Sequence, residues 1–531
     1  MNLSVSPRVL RAITALLLMT GALVYLQTGL YSPLNIYDEG IIVYGSVRVM
    51  DGQVPYRDFW TQYSPGQLYV LAALFGTLGK SIMVERVWDI TIRATLALMI
   101  FVLGARLSSV KASVPLWVLA LLWVQHYGFF GYPIFAGLLF SLASIHALIR
   151  GFRSRRWMFA SGSLLGLTAI FRHDMAVYVA AAQLITFVPL AMWRLASPAS
   201  PQLQLVTYAI RRLLPWAGGT LIVITPVLAY FLATVPANQL AQQLFIFPLT
   251  EFPKVRDLPY PDLDWWPNNL PFYAPFPIYA IAFSMAVAHI RREPQTADYD
   301  GYRVWGIIMM VLFGVFGFNQ ARVRSDEIHT VQFFLSALTL LPALWHGISR
   351  AARWLSYVIA MTSVVLAIAA IVNPIDHYVR QLEGRANAAR NLNHGLPIAQ
   401  GALVSLDHNF AVRYLQRLTK PGDKVYIGLS QHDRVFANDV MFYFLLERHS
   451  PTRYHELHPG LANTEPVQRE MIADIERNAV KYVVLTSMFQ GANEPNDSAL
   501  SSGVELLDDY LRTHYQWVTT IGAYRIYVRR D

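Results

Sequence analysis

Apolar residues fill the first 370 or so positions in runs of about 20, separated by short polar breaks. A helical run of that length covers the roughly 30 Å hydrocarbon core of a bilayer. The pattern predicts membrane-crossing helices near 9–30, 84–107, 113–130, 132–150, 157–172, 174–194, 213–234, 272–290, 303–320, 330–348 and 354–373. After 373 the rhythm changes. Short apolar runs at 424–429 and 481–486, bounded by turn residues, suit buried parallel strands. Helical patterns lie near 438–447, 466–478 and 502–514, and Gln516 to Val528 alternates as a hairpin does. The expected fold is a membrane α-helical bundle of about eleven transmembrane helices with outer interfacial helices (1–373), followed by a soluble α/β domain (374–531).

The segment 64–79 is apolar but only 16 residues long, short of a span. Its placement decides the side of every later loop. If it lies along the interface as an amphipathic helix, the Arg150–Arg156 cluster, Arg211, Arg212, Arg291, Arg292, Arg350 and Arg353 all join Arg8 and Arg11 on one side. The only acids on that side are then Glu293, Asp298 and Asp300. Such a bias marks the cytoplasmic face. The expected topology is an uncleaved first helix, the N-terminus inside and the C-terminal domain outside, with long outer loops at 31–83 and 235–271. The second loop is a cap rich in Pro and aromatics, with Trp265 and Trp266 at headgroup level.

Composition sharpens this picture. The chain is 54% hydrophobic with mean hydropathy +0.35, and only 15% charged, against about 25% for soluble domains. Residues 1–373 hold 26 basic and 16 acidic residues; 374–531 hold 17 and 18. The basicity thus belongs to the membrane part, and nucleic acid is excluded as the reason for the net charge of +9. With no cysteine, disulfides and thiolate metal sites are excluded.

Candidate chemistry gathers on the outer side. Asp38 and Glu39 follow the first span directly, where a lone carboxylate must be solvated or do chemistry. The semi-polar stretch after them offers Arg57, Asp58 and Tyr63 as substrate contacts. Arg86, Asp89 and Arg93 share one helix face by their spacing; Asp89 is expected in an internal ion pair with Arg86 or Arg93. Arg172-His173-Asp174 links two spans, and Arg322, Arg324, Asp326 and His329 lie between two others. A carboxylate base with guanidinium groups suits a phosphate-bearing substrate, because Arg binds phosphate bidentately. His126, His173 and His329 invite a metal reading, but no local ligand spacing such as His-x-x-x-His accompanies them, and polar lining is the expected role. In the tail, Gly428-Leu429-Ser430-Gln431 is no dinucleotide fingerprint, so a structural or acceptor-docking role is expected there.

Asp38-Glu39 in the first outer loop, Pro55-Tyr56-Arg57-Asp58-Phe59, Ser64-Pro65-Gly66-Gln67-Leu68-Tyr69 and Arg86 resemble, in order and spacing, the GT-C membrane glycosyltransferases. The nearest groups are the protein-mannosyltransferase-like, aminoarabinose-transferase-like and lipopolysaccharide-core transferase-like proteins. The likeness is best over 8–200 and extends to the Arg322–His329 segment. It implies a polyprenyl-phosphate sugar donor, an acceptor hydroxyl on a glycolipid, polysaccharide or protein, and transfer with inversion outside a bacterial inner membrane. Asp38 would then be the general base and Glu39 its acidic partner. Arg86, His173, Asp174, Asp326 and His329 stand among the substrate contacts, with Arg172, Arg322 and Arg324 as phosphate candidates. The family's metal requirement varies, which leaves a divalent metal open.

Two other classes also fit a polytopic chain. A transporter or lipid flippase shows internal repeats and charges at the bilayer midplane, whereas here the charges collect at one face. A non-catalytic envelope assembly protein explains the tail but not the convergent outer clusters. Neither the sugar nor the acceptor is legible.

Overall fold

A computed structural model describes residues 6–126, 128, 130–152, 154–195, 202–263, 268–292, 299–348, 353–391 and 395–531. Trp265 and Trp266 lie outside the described residues. The chain opens with α1 (Pro7–Leu26), and the first long loop folds into α2 (Asp38–Met50) and α3 (Gly66–Leu78). Then come α4 (Ile82–Leu107), α5 (Val110–His126), α6 (Ile134–Gly151), α7 (Arg155–Phe171), α8 (His173–Leu195) and α9 (Gln202–Thr234). The second long loop carries four short helices: α10 (Ala237–Ala241), α11 (Phe247–Thr250), α12 (Phe252–Arg256) and α13 (Leu270–Tyr273). The helical part ends with α14 (Pro275–Arg292), α15 (Tyr299–Val323), α16 (Val331–Ile348) and α17 (Arg353–Asn391).

Each of the eleven segments expected to span is a helix, and among the described residues eight helices are long and apolar enough to cross a membrane. The three outside that set are α5, α7 and α8. Helix faces on α1, α9 and α17 turn Leu17, Ile222 and Met361 outward, each more than 60% exposed, a surface suited to lipid. Inside, small residues bring backbones together: a Cβ on Gly162 of α7 would lie 1.8 Å from the Trp216 carbonyl of α9.

The span expected at 354–373 matches the apolar window Trp354–Val372, and α17 runs on past it to Asn391. Hydropathy marks where a helix leaves apolar surroundings, not where it ends. One expectation changes: α3 lacks a polar face. Leu68, Leu71 and Phe75 are buried in one core with Ile41, Val43 and Tyr44 of α2, while Val70, Leu74 and Leu78 on the other side are apolar too.

The tail contains α18 (Leu406–Leu418), β1 (Val425–Leu429), α19 (Met441–Leu446), α20 (Glu465–Arg477), β2 (Tyr482–Thr486), α21 (Leu506–His514), β3 (Tyr515–Ile521) and β4 (Tyr524–Arg529). The sheet order is β1-β2-β4-β3, with β1 and β2 parallel and β3–β4 an antiparallel hairpin. This domain is fastened to the first outer loop. Met441 N–H donates to the Ile36 carbonyl at 2.9 Å, Trp60 N–H to the Arg453 carbonyl at 3.0 Å, and the Tyr44 hydroxyl accepts from Ser450 N–H at 2.7 Å. Gly40 is required at the joint, since a Cβ there would meet Met441 N at 2.5 Å. The loop after α1 and the domain after α17 are therefore packed together at one end of the bundle.

Candidate active site

Asp38 and Glu39 begin α2, where carboxylates complement the helix dipole. Asn35 organises the entry: its side-chain oxygen accepts from Tyr37 and Asp38 N–H at 3.1 and 2.9 Å, and its amide donates to Asp38 Oδ2 at 3.3 Å. The neighbouring carboxylates then part ways. Glu39, expected as the acidic partner of Asp38, is fully buried and held by Arg86, with Nε and Nη2 at 2.8 and 3.0 Å from its two oxygens. Arg86, expected as a substrate contact, is fully buried too. It also donates to the carbonyls of Leu30, Ser32 and Pro33, so its donors are occupied within the protein. The pair nails the start of α2 to α4. One turn along α4, Asp89 pairs with Arg93 at 2.5 Å.

Asp38 remains available. It is partly accessible, yet burial pushes its carboxyl up, while Asn35, Arg256 and Arg324 draw it back and Asp326 pushes it up again. These neighbours form one cluster of charged and tyrosine side chains. Tyr37, Tyr63, Tyr132, Arg172, Asp174, Arg324 and Asp326 are all partly buried. The Tyr63 and Tyr132 rings stand edge-on at 5.8 Å, and Tyr132 feels the charges of Arg172, Asp38 and Asp326. The early carboxylate and both later Arg-containing junctions thus meet around one space.

The junctions are internally paired to different degrees. Arg172 donates to both oxygens of Asp174 at 2.9 and 2.6 Å, and Gln320 to the same carboxylate at 2.6 Å. His173 turns aside to Ser64 at 2.8 Å. Arg324 bonds Asp326 at 2.8 Å and Glu494 of the tail at 2.6 and 3.0 Å. Burial alone would raise Asp326, but His329 (2.5 Å away) and Arg324 hold it below the usual carboxylate range. Arg322 is exposed and bonds Asn319 at 3.3 Å; among the described residues it makes no ion pair. Arg57 and Asp58 close on each other at the surface at 2.8 Å, and Asp58 Oδ2 accepts from Val54 N–H. They build a turn instead of joining that cluster: Tyr56 between Pro55 and Arg57 takes a left-handed φ of 71°, and Pro55 and Phe59 pair as an isolated bridge.

Sequence reasoning missed two residues here. Arg256, from α12 in the cap, is buried with its guanidinium 5.8 Å from the Tyr37 ring. It donates to the Phe436 carbonyl at 2.6 Å, and among the described residues it makes no ion pair. Its only signal was a charge inside a Pro- and aromatic-rich loop. Glu456, from the tail, is buried beside Asp38 and Tyr63, and burial pushes it up to about 8. No pattern flagged it. Among the described residues no three His, Asp or Glu side chains form a metal-ligand set; His126 has no described side chain.

No protein-family model and no curated protein matches this sequence. Solved structures do match by shape. ArnT from Cupriavidus metallidurans in the apo state aligns with TM-score 0.52 and 13% identity over 97% of this chain and 98% of that one. The Archaeoglobus fulgidus oligosaccharyltransferase in the apo form aligns with TM-score 0.52 and 10% identity over 97% of this chain and 74% of that one. At these identities the likeness speaks for architecture. Over nearly its whole length, this integral membrane protein has the fold of the GT-C membrane glycosyltransferases.

Proposed function

We propose that the protein is an inverting glycosyltransferase that moves a sugar from a polyprenyl-phosphate donor to an acceptor hydroxyl on the outer face of the membrane, with Asp38 as general base. The clustering of Asp38, Arg256, Arg172 and the Arg324–Asp326 junction, with Asp38 partly accessible, carries this reading. ArnT from Cupriavidus metallidurans has been solved bound to undecaprenyl phosphate, a ligand of the proposed donor class.

An alcohol is a weak nucleophile near neutral pH. Asp38 takes its proton as the oxygen attacks the anomeric carbon, while the carbon–oxygen bond to the lipid phosphate breaks and the phosphate leaves with the electron pair. Charge grows on the phosphate oxygens, and guanidinium groups that are not already neutralised stabilise it best. Arg172 and Arg324 are tied to carboxylates, so Arg256 and Arg322 are the stronger phosphate partners. Glu39 and Arg86 act as positioning residues that hold the first turn of α2. The N-terminus lies in the cytoplasm of a bacterial cell and the C-terminal domain outside its inner membrane, so the lipid tail of the donor stays in the bilayer. The acceptor is a glycolipid, polysaccharide or protein hydroxyl.

Asp38→Asn tests this in membrane fractions, with transfer from labelled polyprenyl-phosphate sugars as the readout. A fall of about 10²–10⁴-fold at unchanged protein abundance is expected. Unchanged transfer rejects the base assignment.

A further inference from the structure

The tail segment 450–458 is held by the first outer loop and by Asn438 of the tail itself. Arg48 Nη1 lies 2.9 Å from His455 Nδ1, the Asn438 amide donates to the His455 carbonyl at 2.9 Å, and Arg453 donates to the Tyr56 carbonyl at 2.8 Å. Gln62 approaches His458 at 3.3 Å. Within this clamp Glu456 is 1% exposed, and neither of its oxygens accepts a well-formed hydrogen bond. A buried carboxyl left in that state is costly, so its retention calls for a reason.

Its surroundings supply one. From α2 and the turn before it come Asp38, Tyr37 and Arg48; from the first loop, Thr61 and Tyr63. On its own segment, His455 is engaged by Arg48 and His458 by Gln62, with Arg256 and Arg324 acting on His458 from beyond. We propose that Glu456, delivered by the C-terminal domain, is a positioning residue for the transfer reaction: it keeps its proton behind Asp38, so that of the two carboxyls Asp38 alone carries negative charge toward an anionic donor. Burial favours the neutral acid at pH 7. An ionised Glu456 sets a second negative charge beside Asp38 and opposes binding of a phosphate-bearing donor. This inference rests on the glycosyltransferase reading.

The experiment uses the full chain in lipid nanodiscs, with labelled undecaprenyl-phosphate hexoses and pentoses as donor probes and envelope extract as acceptor. In the unmodified protein, kcat/KM for the donor falls as pH rises through about 8. In Glu456→Gln that alkaline limb disappears or moves up by about one unit or more; the readout is the position of the limb, which a merely structural residue leaves in place. A limb identical in both proteins overturns the proposal. A second measurement reads the carboxyl itself. In infrared difference titration the protonated-carboxyl band lost in Glu456→Gln identifies this group among other buried carboxyls such as Glu85, Asp89 and Asp439; Asp38→Asn, which removes a like charge, shifts the titration of that band to lower pH. A carboxyl titration that Asp38→Asn does not move also overturns it. The two readings fail separately: if Asp38→Asn transfers sugar normally, the glycosyltransferase mechanism falls. If Asp38→Asn is inactive and the alkaline limb ignores Glu456→Gln, only the role of Glu456 falls.

Discussion

Arg86→Met probes the joint on which the geometry of Asp38 depends. The Arg86 guanidinium lies between Glu39 and three backbone carbonyls, and both charged side chains are fully shielded from solvent. No solvent screening discounts the pair. Removing one member of a buried ion pair typically costs about 3–5 kcal/mol, because the other charge is left uncompensated. Each carbonyl left without a donor adds up to about 1–3 kcal/mol, reduced where water or relaxation replaces it. Against a total stability on the order of 5–15 kcal/mol, the single variant loses about a fifth or more. Glu39→Gln/Arg86→Met removes both charges and leaves only the carbonyl cost, so the double-mutant cycle is non-additive by about 0.5–3 kcal/mol. Denaturant titration of protein in detergent micelles, with membrane abundance alongside, measures both quantities. An Arg86→Met protein within about 0.5 kcal/mol of the unmodified chain, or an additive cycle, refutes the claim that this pair anchors the start of α2.

Other expectations follow from the same geometry. Gly40→Ala forces a Cβ against the Met441 backbone and loosens the tail from α2, giving lower thermal stability and faster proteolytic release of the tail; a normal melting curve counts against the clamp. Arg256→Ala weakens binding of undecaprenyl phosphate about 10- to 100-fold, the worth of one charge-assisted contact, while Arg57→Ala changes stability and binding by no more than about 1 kcal/mol because its ion pair is solvent-exposed; equal effects in a lipid-binding assay refute the distinction. Glu456 is raised from 4.5 to about 8, so between those values the folded state binds more protons than the unfolded chain. Stability therefore falls as pH rises through that window, and Glu456→Gln flattens the slope in unfolding experiments run from pH 5 to 8. Asp326 is shifted the other way: its contribution is present at neutral pH and disappears as pH falls below the usual Asp value near 4.

Local pattern was enough for the elements. Runs of about 20 apolar residues placed eleven helices, short bounded runs placed β1 and β2, and alternation placed the final hairpin. These signals are legible because periodicity and hydropathy are properties of neighbouring residues. Asp38 stood out for the same reason, as a charge at the end of an apolar run. Partner choice was not legible. Glu39 and Asp38 are adjacent in the chain, yet one is consumed by Arg86, 47 positions away, and the other stays partly accessible among Arg256, Arg324 and Asp326. Arg172 and Arg324 stood as phosphate candidates, but in the fold they pair with Asp174, Asp326 and Glu494. Arg256 and Glu456, with no local signature, reach Asp38 only because the cap and the tail fold back over the first loop. The sequence determined which segments are helices and strands and where charge leaves the apolar runs. Tertiary structure decided which of those charges are neutralised, because ion pairing and burial depend on distances in space, whether the partners are 2, 47 or 170 positions apart in the chain.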